Sequence, residues 1–140
     1  MSSMSAEMNN AMAERFGKDS LLALATVENG SPYTRAVNAY YENGAFYVIT
    51  NALSNKMRHI NNGSAVGICG EWFTGHAYGI SLEYFCKKEN KEISDKLKNV
   101  FSAWINNGHN NFEDENTIIL CLKLTDGVLF VHGTRYEFSL

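Results

Sequence analysis

The chain has 140 residues, 45% of them hydrophobic and 19% charged, which suits one globular unit with a sizeable core and excludes a disordered chain. A formal net charge of −3 provides no overall field for nucleic acid or an anionic membrane, so any anionic ligand needs a local cluster of cations. No apolar run approaches the roughly 20 residues of a membrane-spanning helix, and the first 16 residues carry Glu7, Glu14 and Arg15 rather than a signal peptide's apolar stretch, so the expected location is the cytoplasm.

Residues 5–16 read as a short helix with Met8, Met12 and Phe16 on one face. Leu21 to Val27 is a continuous apolar run, a buried strand, and Asn29-Gly30 turns it into a second strand, Tyr33 to Tyr41. Asn43-Gly44 makes a second turn of the same kind before a third strand, Ala45 to Thr50. The period then becomes helical: Leu53, Met57 and Ile60 share a face between Ser54, an N-cap residue, and Gly63, a helix-ending glycine. Ser64 to Gly70 and His76 to Lys87 read as further strands, and Asn90 to Asn107 as a long amphipathic helix ended by Gly108. Thr117 to Leu124 and Val128 to Phe138 complete the chain as two strands turned at Asp126-Gly127. Six or seven mostly antiparallel strands with added helices favour a small barrel, because closure removes the exposed edges. Nothing in the composition divides residues 1–140 into two domains. Cys69, Cys86 and Cys121 are odd in number and widely spaced within apolar stretches, which reads as three buried free thiols.

The segment with the most chemistry is Thr50-Asn51-Ala52-Leu53-Ser54-Asn55-Lys56, where a strand leaves through a polar loop into a helix. The first N–H groups of that helix have no partner within it and carry partial positive charge, which suits an anion such as a phosphate. Ser54 and Thr50 add hydroxyls and Lys56 a full charge. Arg35, on the neighbouring strand, offers a forked pair of donors for the same anion. Taken singly, Ser54 can equally be a plain cap and Lys56 and Arg35 solvated surface charges; their convergence on one hairpin is what points to a site.

The order strand, hairpin, strand, T-N-x-x-S-x-K, helix resembles the FMN-binding split β-barrels related to pyridoxamine 5′-phosphate oxidase, from about Leu21 to Leu140. The resemblance implies an antiparallel split β-barrel of six or seven strands that binds FMN as a homodimer, with an oxidoreductase acting on a small molecule as the expected function. It assigns Arg35, Ser54 and Lys56 to the flavin phosphate. It brings the backbone of Val48, Ile49 and Thr50 beside the ring, and Val37 and Asn38 near the cofactor. Trp72, His76 and Trp104 are candidates for the face contributed across the dimer. Asn55 stands where the oxidase itself has an arginine; the loss either weakens the phosphate site or is made good by Arg58. The oxidase's longer C-terminal segment, which holds the vitamin, has no counterpart here, so the resemblance is to the fold and the flavin site and not to vitamin B6 oxidation.

Of the histidines, His59 reads as solvated on its helix beside Lys56. His76, between Gly75 and Ala77, either lets a planar ligand approach or is a plain hairpin residue. His109 and His132 have no partner at metal-ligand spacing, and no zinc, P-loop, Rossmann or G-x-S-x-G pattern occurs. A sensor that holds flavin or heme without turnover, with His76 as the first heme ligand to suspect, is the alternative reading; a structural dimer with a degenerate site, signalled by Asn55, is the third.

Overall fold

The computed structural model describes residues 3–108 and 110–140; His109 lies outside the described residues. Helix α1 (Ala6–Phe16) starts where the Ser5 hydroxyl accepts the Met8 N–H at 3.1 Å, and it buries Met8, Met12 and Phe16 as their spacing predicts. Strands β1 (Ser20–Glu28), β2 (Ser31–Glu42) and β3 (Ala45–Asn51) form a meander. Its two-residue turns, Asn29-Gly30 and Asn43-Gly44, have positive φ at both positions, matching the twist that tight hairpins need. Helix α2 (Asn55–Asn62) follows, then β4 (Ala65–Gly70), β5 (Phe73–Tyr84), α3 (Lys91–Val100), β6 (Thr117–Val131) and β7 (Thr134–Ser139).

The strands run in the order β3-β2-β1-β4-β5-β6, and β3 pairs back onto β6 from Ala45↔Lys123 to Asn51↔Thr117, closing a six-stranded antiparallel barrel. β7 adds to β6 outside the closed ring. Inward alternation fills the barrel with Leu22, Leu24, Phe46, Val48, Phe73, Leu120 and Leu122. A second cluster of Phe85, Leu97, Phe101, Ile105 and Ile119 forms where α3 and the turns after it cover the outer face of β3, β5 and β6.

Several boundaries differ from expectation. Asp126-Gly127 is no turn but lies inside the 15-residue β6. Its glycine is needed for packing, since a Cβ there would sit 2.7 Å from Phe73 Cε1. The actual turn is His132-Gly133, with φ of 48° and 82°. β5 begins at Phe73 and ends at Tyr84, and α3 ends at Val100, the chain then turning so that Phe101 and Ile105 still face the second cluster. Cys121 is buried, but Cys69 and Cys86 are exposed: Cys69 falls on the outward phase of β4, and Cys86 lies beyond the end of β5. No described helix is long and apolar enough to cross a membrane.

Candidate anion site at the split in the barrel

β2 and β3 pair only from Tyr40↔Tyr47 to Glu42↔Ala45 and then diverge. β2 continues along β1, β3 continues along β6, and the chain leaving β3 enters α2. The divergence leaves a split in the wall, with Arg35 on the β2 side and Thr50 and Lys56 on the other. Arg35 lies opposite Leu24 in the ladder and so shares the inward face with Leu24 and Thr26.

Three acceptors hold one nitrogen of Arg35: Nη1 donates to Thr26 Oγ1 at 2.7 Å, to the Leu24 carbonyl at 3.3 Å and to the Tyr33 carbonyl at 3.4 Å. Among the described residues none accepts from its Nη2 or Nε. Lys56 Nζ donates to Thr50 Oγ1 at 2.5 Å. Burial, and then the charge of Arg35, hold the Lys56 ammonium below the ordinary lysine pKa; burial also lowers that of Arg35. The two cations thus repel each other in a partly desolvated place. Among the described residues no carboxylate lies within ion-pair distance of either, whereas Arg15, Arg58, Lys87, Lys91, Lys96 and Arg135 all have acidic partners. Half-buried cations without counter-ions are costly unless something negative joins them.

The helix start behaves as predicted in part. Ser54 caps α2 by accepting the Met57 N–H at 3.3 Å, which leaves its own O–H free to donate. Asn55 is exposed and its Oδ1 accepts from Arg58 Nη1 at 2.8 Å. Arg58 also grips Glu28 through Nε and Nη2 at 2.9 and 3.0 Å, so it is already engaged and does not replace the missing charge. His59 is not solvated. It is 2% exposed, with Nδ1 2.8 Å from Thr26 Oγ1, Nε2 3.6 Å from Glu28 Oε1, and its ring 4.9 Å from that of Tyr33. α2 crosses β1 with Met57, His59 and Ile60 all turned inward. Ile60 seats on Gly79, where a Cβ would come within 2.8 Å.

The remaining candidates fall into separate places. Val37 and Val48 are buried in the barrel core and Ile49 packs into the second cluster. Asn38 and Trp104 are brought together through Asp19, which accepts from Asn38 Nδ2 at 3.0 Å and from Trp104 Nε1 at 2.8 Å. Trp72 is 71% exposed in the β4–β5 turn, beside Gly70 and Leu22 and therefore at the other end of β1 from Thr26. His76 is on the outer face of β5, where Asp126 accepts from its backbone N–H at 2.9 Å and sits 3.0 Å from Nδ1. A single copy therefore does not bring Trp72 or His76 to the two cations. Thr26, His59, Asp19 and Asp126 are the additions. Thr26 was legible as the next inward residue after Leu22 and Leu24; the other three carried no local signal.

The sequence matches the family model described as pyridoxamine 5′-phosphate oxidase over residues 8–126. The chain belongs to this family. General stress protein 26 of Bacillus anthracis str. Sterne superposes with a TM-score of 0.70 at 16% identity, over 96% of this chain and 99% of that one. A FAD-binding protein of Mesorhizobium loti gives 0.68 at 13% identity, over 97% and 96%. A heme binding protein of Mycobacterium smegmatis gives 0.69 at 12% identity, over 99% of this chain and 60% of that one. At such identities these likenesses establish the split-barrel fold of the pyridoxamine 5′-phosphate oxidase family. No protein of curated function matches the sequence.

Proposed function

We propose that this member of the pyridoxamine 5′-phosphate oxidase family is an FMN-binding oxidoreductase acting on a small molecule in the cytoplasm, with the flavin phosphate held between Arg35, Lys56 and the start of α2. The observation that carries this reading is the pair of half-buried cations without acidic partners, with Arg35 Nη2 and Nε left to donate. The donor set fits a phosphate: a forked guanidinium, an ammonium, the Ser54 hydroxyl and the first N–H groups of a helix. On its β2-facing side, β3 has no strand partner beyond Tyr47, so the backbone of Val48 to Asn51 offers an open edge to a flat ring. When bound, the flavin supplies the redox chemistry. Arg35, Lys56, Ser54 and the first N–H groups of α2 would hold its phosphate, and the unpaired edge of β3 would be open to its ring.

The outward positions of β2, β1, β4 and β5 favour a homodimer. They include Ala36, Leu21, Ala23, Ala25, Val27, Cys69, Tyr78 and Ile80, and none of the outward residues Thr34–Asn38, Leu21–Val27, Ala65–Cys69 and Thr74–Ile80 is lysine, arginine or a carboxylate. Leu21 is 66% and Val27 54% exposed, an apolar face of the kind that marks an interface. Pairing two copies here would bring His76 of each to the other's surface. Titrating apoprotein with FMN, FAD and riboflavin tests the cofactor: FMN binding well above riboflavin is expected, FAD preference would change the cofactor, and no flavin binding at all would defeat the reading. Light scattering tests the dimer, with Ala23→Arg expected to give a monomer.

Heme is the second reading, and His76 favours it. Asp126 occupies its Nδ1, while Nε2 has no partner among the described residues, an orientation suited to axial ligation. A Soret band on heme addition that is lost in His76→Ala would support it.

A further inference from the structure

We propose that His59 is a positioning residue of the anion site, setting the direction of the Thr26 hydroxyl and through it the guanidinium of Arg35; this rests on the phosphate reading above. Arg35 can only donate, so Thr26 Oγ1 accepts at 2.7 Å. The single hydroxyl proton of Thr26 must then go elsewhere, and the acceptor in reach is His59 Nδ1 at 2.8 Å. Glu28, an acceptor held ionised by the Arg58 fork, faces Nε2 at 3.6 Å and favours the tautomer with its proton on that nitrogen, which leaves Nδ1 to accept. The polar chain therefore runs in one direction, Arg35 to Thr26 to His59 to Glu28, and every buried side-chain polar atom described has a partner. Its effect is to keep a Thr26 lone pair on Arg35 Nη1, so that the guanidinium is fixed with Nη2 and Nε left to donate. Without an acceptor at Nδ1, the Thr26 hydroxyl turns its proton toward Arg35, donor against donor. The groups facing His59 are Thr26 and Glu28 from β1, Tyr33 from β2 and Arg58 from its own helix, with Arg35 one bond further along the chain.

The test is the preference of the whole protein for FMN over riboflavin, which lacks the phosphate. His59→Leu is expected to lower FMN affinity about tenfold and leave riboflavin unchanged, the loss of one charged hydrogen-bond alignment. His59→Asn puts an amide oxygen where Nδ1 was and is expected to recover FMN affinity to within about threefold of wild type. Thr26→Val is expected to copy the loss and Thr26→Ser to avoid it; this pair carries the test if His59→Leu does not fold. Equal falls for FMN and riboflavin, or unchanged preference in His59→Leu and Thr26→Val, would overturn the positioning role alone. A wild-type protein that does not distinguish FMN from riboflavin would overturn the phosphate reading and this inference with it.

Discussion

The two ends of the barrel are built from the same alternating strands yet finished in opposite ways. At one end α1 inserts Phe16 between Phe46 and Phe73, with ring centroids 5.5 and 5.9 Å apart, and Tyr41 stacks edge-on behind at 5.3 Å from Phe46. Gly70 leaves the room, because a Cβ there would lie 3.1 Å from Phe16. The packing at this end is aromatic and aliphatic, and the one phenol among these rings, Tyr41, turns its hydroxyl to Asn9 Oδ1 at 2.6 Å. At the other end α2 lays Met57 and Ile60 over the strands, but the seal is interrupted by Thr26, His59, Arg35, Thr50 and Lys56. The first end maximises burial; the second accepts desolvated charge that folding does not need. The contrast separates scaffold from site within one core.

Truncating the apolar seal should give the largest effect on stability. Phe16→Ala removes a ring that is 2% exposed and meets two others, and it is expected to cost about 3–5 kcal/mol. Chemical denaturation measures this, and FMN affinity measured well below the transition should not move. At the split the pattern should reverse. Arg35→Ala and Lys56→Ala are each expected to weaken FMN by about 1–3 kcal/mol, the worth of a charged hydrogen bond. Their apoproteins should lose far less stability than Phe16→Ala, since each gives up hydrogen bonds to Thr26 or Thr50 but also a cation without a counter-ion. If either variant unfolds easily and binds FMN normally, the two ends do not differ in the way described.

The scaffold was far more legible than the site. Asn29-Gly30 and Asn43-Gly44 announce their turns because asparagine and glycine tolerate positive φ. The same turn at His132-Gly133 was hidden by a histidine in the first position, and Asp126-Gly127 imitated one because a glycine kept for the ring of Phe73 looks identical in sequence. Arg35, Ser54 and Lys56 could be grouped from their places on one hairpin and the helix after it. His59 could not, because its environment comes from β1 and β2, more than 25 residues away. Asp19, through Asn38 and Trp104, and Asp126, through His76, act by long-range contacts that leave no periodic trace.

Between the two extremes lies the outer cluster under α3. Burial, with the neighbouring Cys121 thiol and Glu42 carboxylate adding to it, pushes the Tyr47 phenol up to about 12, and burial also raises Cys121. The folded state then holds a proton that the unfolded chain gives up near pH 10. This contribution is complete below pH 10 and is lost as pH rises toward 12. Lys56 has the opposite sign: its folded pKa is lowered, so stability rises as pH climbs toward the ordinary lysine value. Tyr47→Phe should flatten the alkaline loss of stability, and Lys56→Met the gain before it. Phenolate absorbance against pH would show Tyr47 titrating last if the cluster stays shut.

The smallest effect should come from Arg58, and it sharpens the comparison because Arg58 is as close to the helix start as a cation can be without belonging to the site. Its guanidinium is turned outward onto Glu28 and Asn55. Exposed pairs of this kind contribute little, and their charge is screened by salt. Arg58→Ala should therefore leave FMN affinity within about twofold of wild type. Placing an arginine at Asn55 should strengthen binding, because it adds a cation next to Lys56 at the unpaired N–H groups of α2. A loss in Arg58→Ala as large as that in Lys56→Ala would mean that charge near the helix start is enough, and that the inward, partnerless geometry of Arg35 and Lys56 is not what selects the anion.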